Sequence, residues 1–365
     1  MRIMGIKLSV SSLTFLFLSF ANFSSVSVEG SPIAPALYVF GDSLFDSGNN
    51  NFLPTLARAN FLPYGTNFPK GATGRFTNGK TVADFIAEFL GLPYAPPNLS
   101  IHKSTILTGL NYASGSCGIL PETGSRLGEC LNLKEQLDLF ERTVKSDLSG
   151  QFNNSNDLAE YLSKSIFLFS VGNNDYLNNY LQPKLYDTSK RYPPPQFAQL
   201  LMDDLSHHFE RLYNLGARKT VMFEIGPLGC IPSIAKTEKH DGDCVQGTNQ
   251  LASIFNERLR VTLANLTFTF QGSLFVLGRA NGIGYDAITS PLKYGLEDGS
   301  NPCCKTWNNG TSSCIPFAKP CSQPNSHFFW DAFHLTESAN SVIATGCFNG
   351  STICTPLNIQ KLVQI

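Results

Sequence analysis

The sequence predicts an α/β fold in which one parallel sheet is covered by helices on both faces. Three observations predict it. Short apolar runs of β type alternate with longer segments whose apolar residues recur at helical spacing. Two of those runs stop at a glycine that is followed by polar residues, and no linker rich in Pro, Gly or Ser divides the chain into comparable halves. Of the 365 residues 42% are hydrophobic and 15% charged, the composition of a folded chain with a large core, so disordered and fibrous classes drop out.

The elements follow in order. Ala36-Leu37-Tyr38-Val39-Phe40 reads as the first buried strand and ends at Gly41-Asp42. Residues 81–90, TVADFIAEFL, carry apolar residues at helical spacing, and Gly91 and Pro93 supply the stop. Ser165 to Val171 forms the second strand and ends at Gly172. Phe197 to Leu215 is a long amphipathic helix capped by Gly216, and Lys219 to Ile225 is the next strand. Gln250 to Leu266 is a further helix, Leu274 to Leu277 a further strand, and Glu337 to Phe348 the last helix. Residues 291–326 are rich in turns and cysteine and read as a stapled insertion within a single domain spanning 31–365. In an open parallel sheet, ligands bind beyond the carboxyl ends of the strands. Polar residues directly after the strand-like runs are therefore the candidates for chemistry.

The N-terminus and the cysteines point to a compartment. Arg2 and Lys7 precede an apolar stretch from Leu8 to Phe23, and small residues follow at Ser25, Ser27 and Gly30. Residues 1–30 thus read as a secretory signal cleaved near 27–30; as a membrane anchor the stretch is short and lacks a charged stop. All ten cysteines lie after it, and an even number in an exported chain favours disulfides. Cys117/Cys130, Cys230/Cys244 and Cys347/Cys354 are close enough in sequence to be local staples, although spacing alone leaves the pairing open. Paired C-x-x-C ligands are missing, which argues against a zinc site. Glycosylation sequons stand at Asn98, Asn153, Asn265, Asn309 and Asn349. The expectation is a secreted, extracellular protein with no stable membrane anchor. A net charge of -1, without any Lys/Arg run, argues against a nucleic-acid partner. Oligomeric state is not written in the sequence.

Three polar segments follow strands or face them from afar. In Phe40-Gly41-Asp42-Ser43-Leu44-Phe45-Asp46-Ser47-Gly48-Asn49-Asn50, Gly41 permits a sharp turn before Ser43. A helix beginning here would set Ser43 at its positive end, beside amides able to hold an oxyanion; the plainer reading makes Ser43 an N-cap. In Asp331-Ala332-Phe333-His334, the carboxylate can reach the imidazole Nδ1–H and leave Nε2 as a general base, though such pairs also arise by chance. In Val171-Gly172-Asn173-Asn174-Asp175-Tyr176, a side-chain amide can donate into the same crevice, or the segment is simply an Asx-rich turn. A fourth segment, Gly109 to Gly118, can bring an unobstructed backbone N–H close to a substrate.

Taken together, these segments resemble the GDSL family of lipases and esterases, the SGNH hydrolases, in its plant-type secreted branch. FGDSLFDSGNN is similar to that family's first motif, GLNYASGSCGIL to its second, VGNNDY to its third and DAFH to its last. TGRFTNGKTVADFIA and GARKTVMFEIGPLGCIP also resemble family segments, and the similarity runs in order from about residue 36 to residue 346. The resemblance implies a flavodoxin-like α/β/α sandwich. It also implies an esterase or lipase with Ser43 as nucleophile, His334 as general base and Asp331 orienting it. The implied oxyanion hole comprises the N–H of Ser43, the N–H of Gly115 and the amide of Asn174. Two departures stand out: Leu335 replaces the usual proline, and Ser116-Cys117 replaces a more glycine-rich stretch.

The expected partner is a small-molecule or lipid ester, with no cofactor and no metal. Gly282-Ile283-Gly284-Tyr285-Asp286-Ala287 fits a dinucleotide fingerprint, but it lies late in the chain and no acidic residue follows at the usual spacing. An acyltransferase using the same acyl-enzyme, and a secreted binding protein on the same fold, remain open alternatives.

Overall fold

Strand β1, Leu37–Gly41, is buried along its whole length and pairs in parallel with β2, Ile166–Ser170. This is a computed structural model and it describes residues 31–100 and 103–365; the signal expected at 1–30 lies outside them. β2 pairs in parallel with β3, Lys219–Phe223, and β3 with β4, Leu274–Gly278; the two-residue β5, Cys354–Thr355, closes the far edge antiparallel to β4. At the other edge, residues 110–114 run beside β1. Leu110 O accepts from Val39 N (2.9 Å), Tyr112 N donates to Val39 O (2.7 Å) and Ser114 N to Gly41 O (3.0 Å). With that edge numbered second in chain order and the antiparallel β5 left aside, the five parallel segments take the flavodoxin-like spatial order 2-1-3-4-5.

Alternation along the strands divides the core in two. Tyr38, Phe40, Phe167, Phe169, Met222 and Phe275 point to one face, under the helices Leu133–Arg142, Pro194–Asn214 and Gln246–Thr269. Leu37, Val39, Ile166, Leu168, Val221 and Val276 point to the other, under the helices Val82–Phe89 and Glu337–Phe348. The expected strands and long helices form within a few residues of their sequence bounds. Helices Leu133–Arg142, Ser155–Lys164 and Ala280–Thr289 were not anticipated. The last contains the apparent dinucleotide fingerprint, so those glycines belong to a helix and not to a phosphate loop.

Two constraints fix the carboxyl edge of the sheet. Gly41 takes φ +137°, and a Cβ there would stand 1.9 Å from the carbonyl oxygen of Ser170, so strands β1 and β2 meet at their ends only because the side chain is absent. Gln136, fully buried, grips the same residue: Gly41 N donates to its Oε1 and its Nε2 donates to Gly41 O, both at 2.8 Å. Arg75 makes the second tie. Its guanidinium forms two 2.7 Å bonds with Asp84 at the start of the helix Val82–Phe89 and a third with Ser47 O, all buried. The next residue, Phe76, packs against the ring of His334 (centroids 4.9 Å).

The local cysteine pairs Cys117–Cys130, Cys230–Cys244 and Cys347–Cys354 are disulfides, and Cys303–Cys321 and Cys304–Cys314 staple residues 303–321. We predict that Gly41→Ala destabilises the protein by at least about 3 kcal/mol in chemical denaturation. A loss under about 1 kcal/mol would show that the strand ends can part freely.

Candidate active site

The carboxyl ends of β1, β2 and β3 open onto one crevice, and the segments singled out in the sequence meet there. Ser43 stands in the turn after β1, in which Phe45 N and Asp46 N both donate to Asp42 O. No helix starts at this point, so neither the helix-terminus reading nor the N-cap reading of Ser43 holds. His334 lies 291 residues away in sequence, yet its Nε2 is 2.8 Å from Ser43 Oγ. Its Nδ1 is 2.8 Å from both carboxylate oxygens of Asp331. Asp331 is fully buried and also accepts from the backbone N–H groups of Phe333 and His334 (2.8 Å each), an Asx-type turn that fixes its rotamer. Burial alone would raise its pKa, but the His334 imidazole, the Tyr64 hydroxyl and the Phe333 amide together hold it below the usual carboxylate range. The result is an unbroken relay from an ionised carboxylate through imidazole to a half-buried hydroxyl.

Residues with free N–H groups line the same crevice as the hydroxyl. The Ser43 N–H has no hydrogen-bond partner among the described residues. Asn174, after β2, spends one Nδ2 hydrogen on Cys117 O (3.0 Å) and keeps the other, while its Oδ1 accepts from Asn178 Nδ2 (3.0 Å). The Cys117 carbonyl, which can only accept, sets which end of the Asn174 amide is the donor. Gly115 departs from expectation. Its N–H donates to Asp46 Oδ2 (3.2 Å), because Asp46 is a fully buried carboxylate that also draws in the amides of Gly48, Asn49 and Asn50. The next residue differs. Ser116 takes a left-handed backbone (φ 72°), lines the crevice, and its N–H has no partner among the described residues.

Carboxylates near the site hold the loops together. Asp42 accepts from Leu44 N (3.0 Å) and from Asn173 Nδ2 (3.3 Å), and Asn173 Oδ1 accepts from Gly226 N (3.1 Å), so one side chain links the ends of three strands. Asp175 gathers the amides of Ile119 and Leu120 and the hydroxyl of Thr123. Burial pushes Asp42 and Asp46 up to about 6 and Asp175 to about 7, with the bonds they accept opposing the rise. Sequence reading missed Tyr64, Phe76, Gln136 and Asn178. Only Asn178 carried a local signal, its i+4 spacing from Asn174. Among the described residues no group of three His, Cys, Asp or Glu side chains is placed to hold a metal ion.

The crevice has a volume of about 350 Å³ and mostly apolar walls, including Phe223, Pro227, Leu228, Ile288, Phe329 and Ile343. A hydroxyl, an imidazole and free N–H groups thus share one mostly apolar crevice.

Known proteins share this sequence pattern. A family model described as GDSL-like Lipase/Acylhydrolase matches residues 37–346. The chain is 45% identical over 340 residues to GDSL esterase/lipase 7 of Arabidopsis thaliana, covering 92% of this chain and 93% of that protein. A second Arabidopsis thaliana protein, also named a GDSL esterase/lipase, is 43% identical over 348 residues, covering 93% of this chain and 90% of its own length. Among solved structures, phospholipase A1 from Streptomyces albidoflavus aligns with 86% of this chain and 96% of its own at 12% identity, with a TM-score of 0.36, a loose likeness.

The buried carboxylates set a pH dependence of stability. Asp42, Asp46 and Asp175 titrate near 6 to 7 when folded but near about 3.9 when unfolded, so the folded chain binds more protons between those values. Stability from these groups therefore falls as pH rises through that window. The melting temperature is expected to rise from about pH 8 to about pH 5, and a steady fall over that range would contradict the burial of these groups.

Proposed function

The chain belongs to the GDSL-like lipase/acylhydrolase family and is a serine ester hydrolase, and from that premise we propose that it turns over esters through an acyl-enzyme on Ser43. One observation carries the assignment: Ser43 Oγ, the His334 imidazole and the Asp331 carboxylate form a continuous hydrogen-bonded relay, and Ser43 and His334 line an apolar crevice. His334 Nε2 takes the Ser43 proton as Oγ bonds to the ester carbonyl carbon. The negative charge that moves to the carbonyl oxygen is received by the N–H of Ser43, the N–H of Ser116 and the free Nδ2 hydrogen of Asn174. Ser116 thus takes the role that the family resemblance had suggested for Gly115. On collapse the bond to the alkoxy oxygen breaks, and His334 returns its proton to the departing alcohol. Water then repeats the sequence: His334 takes its proton, the bond to Oγ breaks, and the acid leaves. Asp331 stays ionised throughout and stabilises the imidazolium.

The apolar trough supports esters that carry a hydrocarbon chain. Burial of each methylene contributes about 0.8 kcal/mol, so kcat/KM gains up to about fourfold per added carbon until the trough is filled. The chain-bearing part is accordingly larger than acetyl.

The chain is also proposed to be exported and to mature as a single domain with five disulfides, which fits an oxidising compartment. Asn153, Asn265, Asn309 and Asn349 are exposed and open to glycosylation, and Asn98 is half-buried. No helix among the described residues is long and apolar enough to cross a membrane.

Ser43→Ala is expected to abolish hydrolysis of p-nitrophenyl esters, and Asn174→Ala to lower turnover about 100- to 1000-fold. Retention of most activity in the first variant defeats the assignment; a loss under about tenfold in the second returns Asn174 to a turn role. Across a graded ester series, the best substrate should lie well beyond acetate. A maximum at acetate would show that the trough does not bind the acyl chain.

A further inference from the structure

The Asp331 carboxylate has one partner that the relay does not require. Tyr64, on the loop between β1 and the helix Val82–Phe89, is fully buried, and its hydroxyl donates to Asp331 Oδ2 at 2.6 Å. The Tyr64 hydroxyl oxygen in turn accepts from the N–H of Cys314 (3.2 Å), which occupies a lone pair and leaves the hydroxyl proton for Asp331. Cys314 belongs to the stapled residues 303–321, and that segment wraps the aspartate from its other side as well. Cys303 N and Cys304 N donate to Phe329 O and Trp330 O, and Ala332 N donates to Ser312 O. The Tyr64 ring is fixed by edge contacts with Phe61 and Phe76 (centroids 5.3 and 6.1 Å), and Phe76 in turn lies on the His334 imidazole (4.9 Å).

We propose that Tyr64 is a positioning residue for the reaction, a buried hydroxyl that clamps the Asp331 carboxylate in the orientation His334 needs and tempers its basicity. The proposal rests on the assignment of Ser43, His334 and Asp331 given above. A carboxylate that accepts a strong hydrogen bond from a neutral donor carries less charge toward its other partner. Tyr64 therefore limits how tightly Asp331 holds the imidazolium form, so that His334 can both take the Ser43 proton and give it up again. The ionisable groups facing His334 are Asp331 on its own segment, Asp42 after β1 and, through Asp331, Tyr64; Arg58 and Glu224 line the same crevice. Of these, only Tyr64 acts on the carboxylate without touching the imidazole or the reacting serine.

The ring contacts survive in Tyr64→Phe and only the hydroxyl is lost. The pH profiles of kcat and kcat/KM for this variant are compared with those of the wild type, using a p-nitrophenyl ester and with Ser43→Ala as the inactive control. Tyr64→Phe is expected to lower kcat about ten- to hundredfold with KM unchanged, and to move the acid limb of kcat/KM to higher pH as Asp331 holds the imidazolium more tightly. A kcat within twofold of wild type with a superimposable acid limb would overturn the proposal. So would a loss of kcat that leaves the acid limb in place, since that is the signature of a merely structural ring. If Ser43→Ala itself keeps most activity, the underlying assignment has failed instead.

Discussion

A carboxylate taken wholly out of water must either be neutralised or be surrounded by donors, and Asp331 is surrounded. Two backbone amides, one imidazole and one phenol meet its two oxygens. The geometry at Ser43 depends on that arrangement. The imidazole can present Nε2 to the serine only because Nδ1 is held, and Nδ1 is held only because the carboxylate cannot turn. The backbone amides fix the carboxylate to its own turn, whereas Tyr64 ties it to a loop 267 residues earlier in the chain.

The same physics recurs through the motifs. Of the polar residues in the segment 40–50, Ser43 faces the crevice, but Asp46 and Asn50 serve the backbone: Asp46 collects four amides, and Asn50 Nδ2 donates to the carbonyls of Ala57 and Gly115. Asp175 does the same for residues 119–123 and Asp42 for the strand ends. These motifs are thus largely instructions for loop shape. Loops lying over the ends of a parallel sheet have no ladder to satisfy their N–H groups, and buried carboxylates and amides do it for them. Preorganisation of the proposed oxyanion donors is a by-product, since a loop most of whose amides are engaged leaves a few free, among them those of Ser43 and Ser116.

Much of the frame was legible in the sequence because buried parallel strands are written as apolar runs, as in Ile166–Ser170, and because long amphipathic helices repeat their signal over many turns. The helix Ser155–Lys164 was missed since Leu162 is its one fully buried residue. The helix Ala280–Thr289 hid behind two glycines, one of which lets Pro227 approach closely. The edge at 110–114 was read only as a possible donor loop, because Asn, Ser and Gly mask its contact with β1. In the site, Ser43, His334, Asp331 and Asn174 were recoverable from short motifs. Which of the Gly115 and Ser116 amides is left free was not, because it is decided by where the Asp46 carboxylate lies. Tyr64 and Gln136 act across 267 and 95 residues of sequence and leave no local pattern to read.

Every step of this account requires that the Ser43 hydroxyl be made nucleophilic by His334. The most direct test is covalent labelling of the intact, disulfide-bonded protein with a fluorophosphonate, followed by peptide mass analysis of the wild type and of His334→Gln. The account predicts one phosphonyl group per wild-type chain, on the peptide that carries Ser43, and no comparable labelling in His334→Gln. Label on a different residue, or equal labelling of the two proteins, would contradict it.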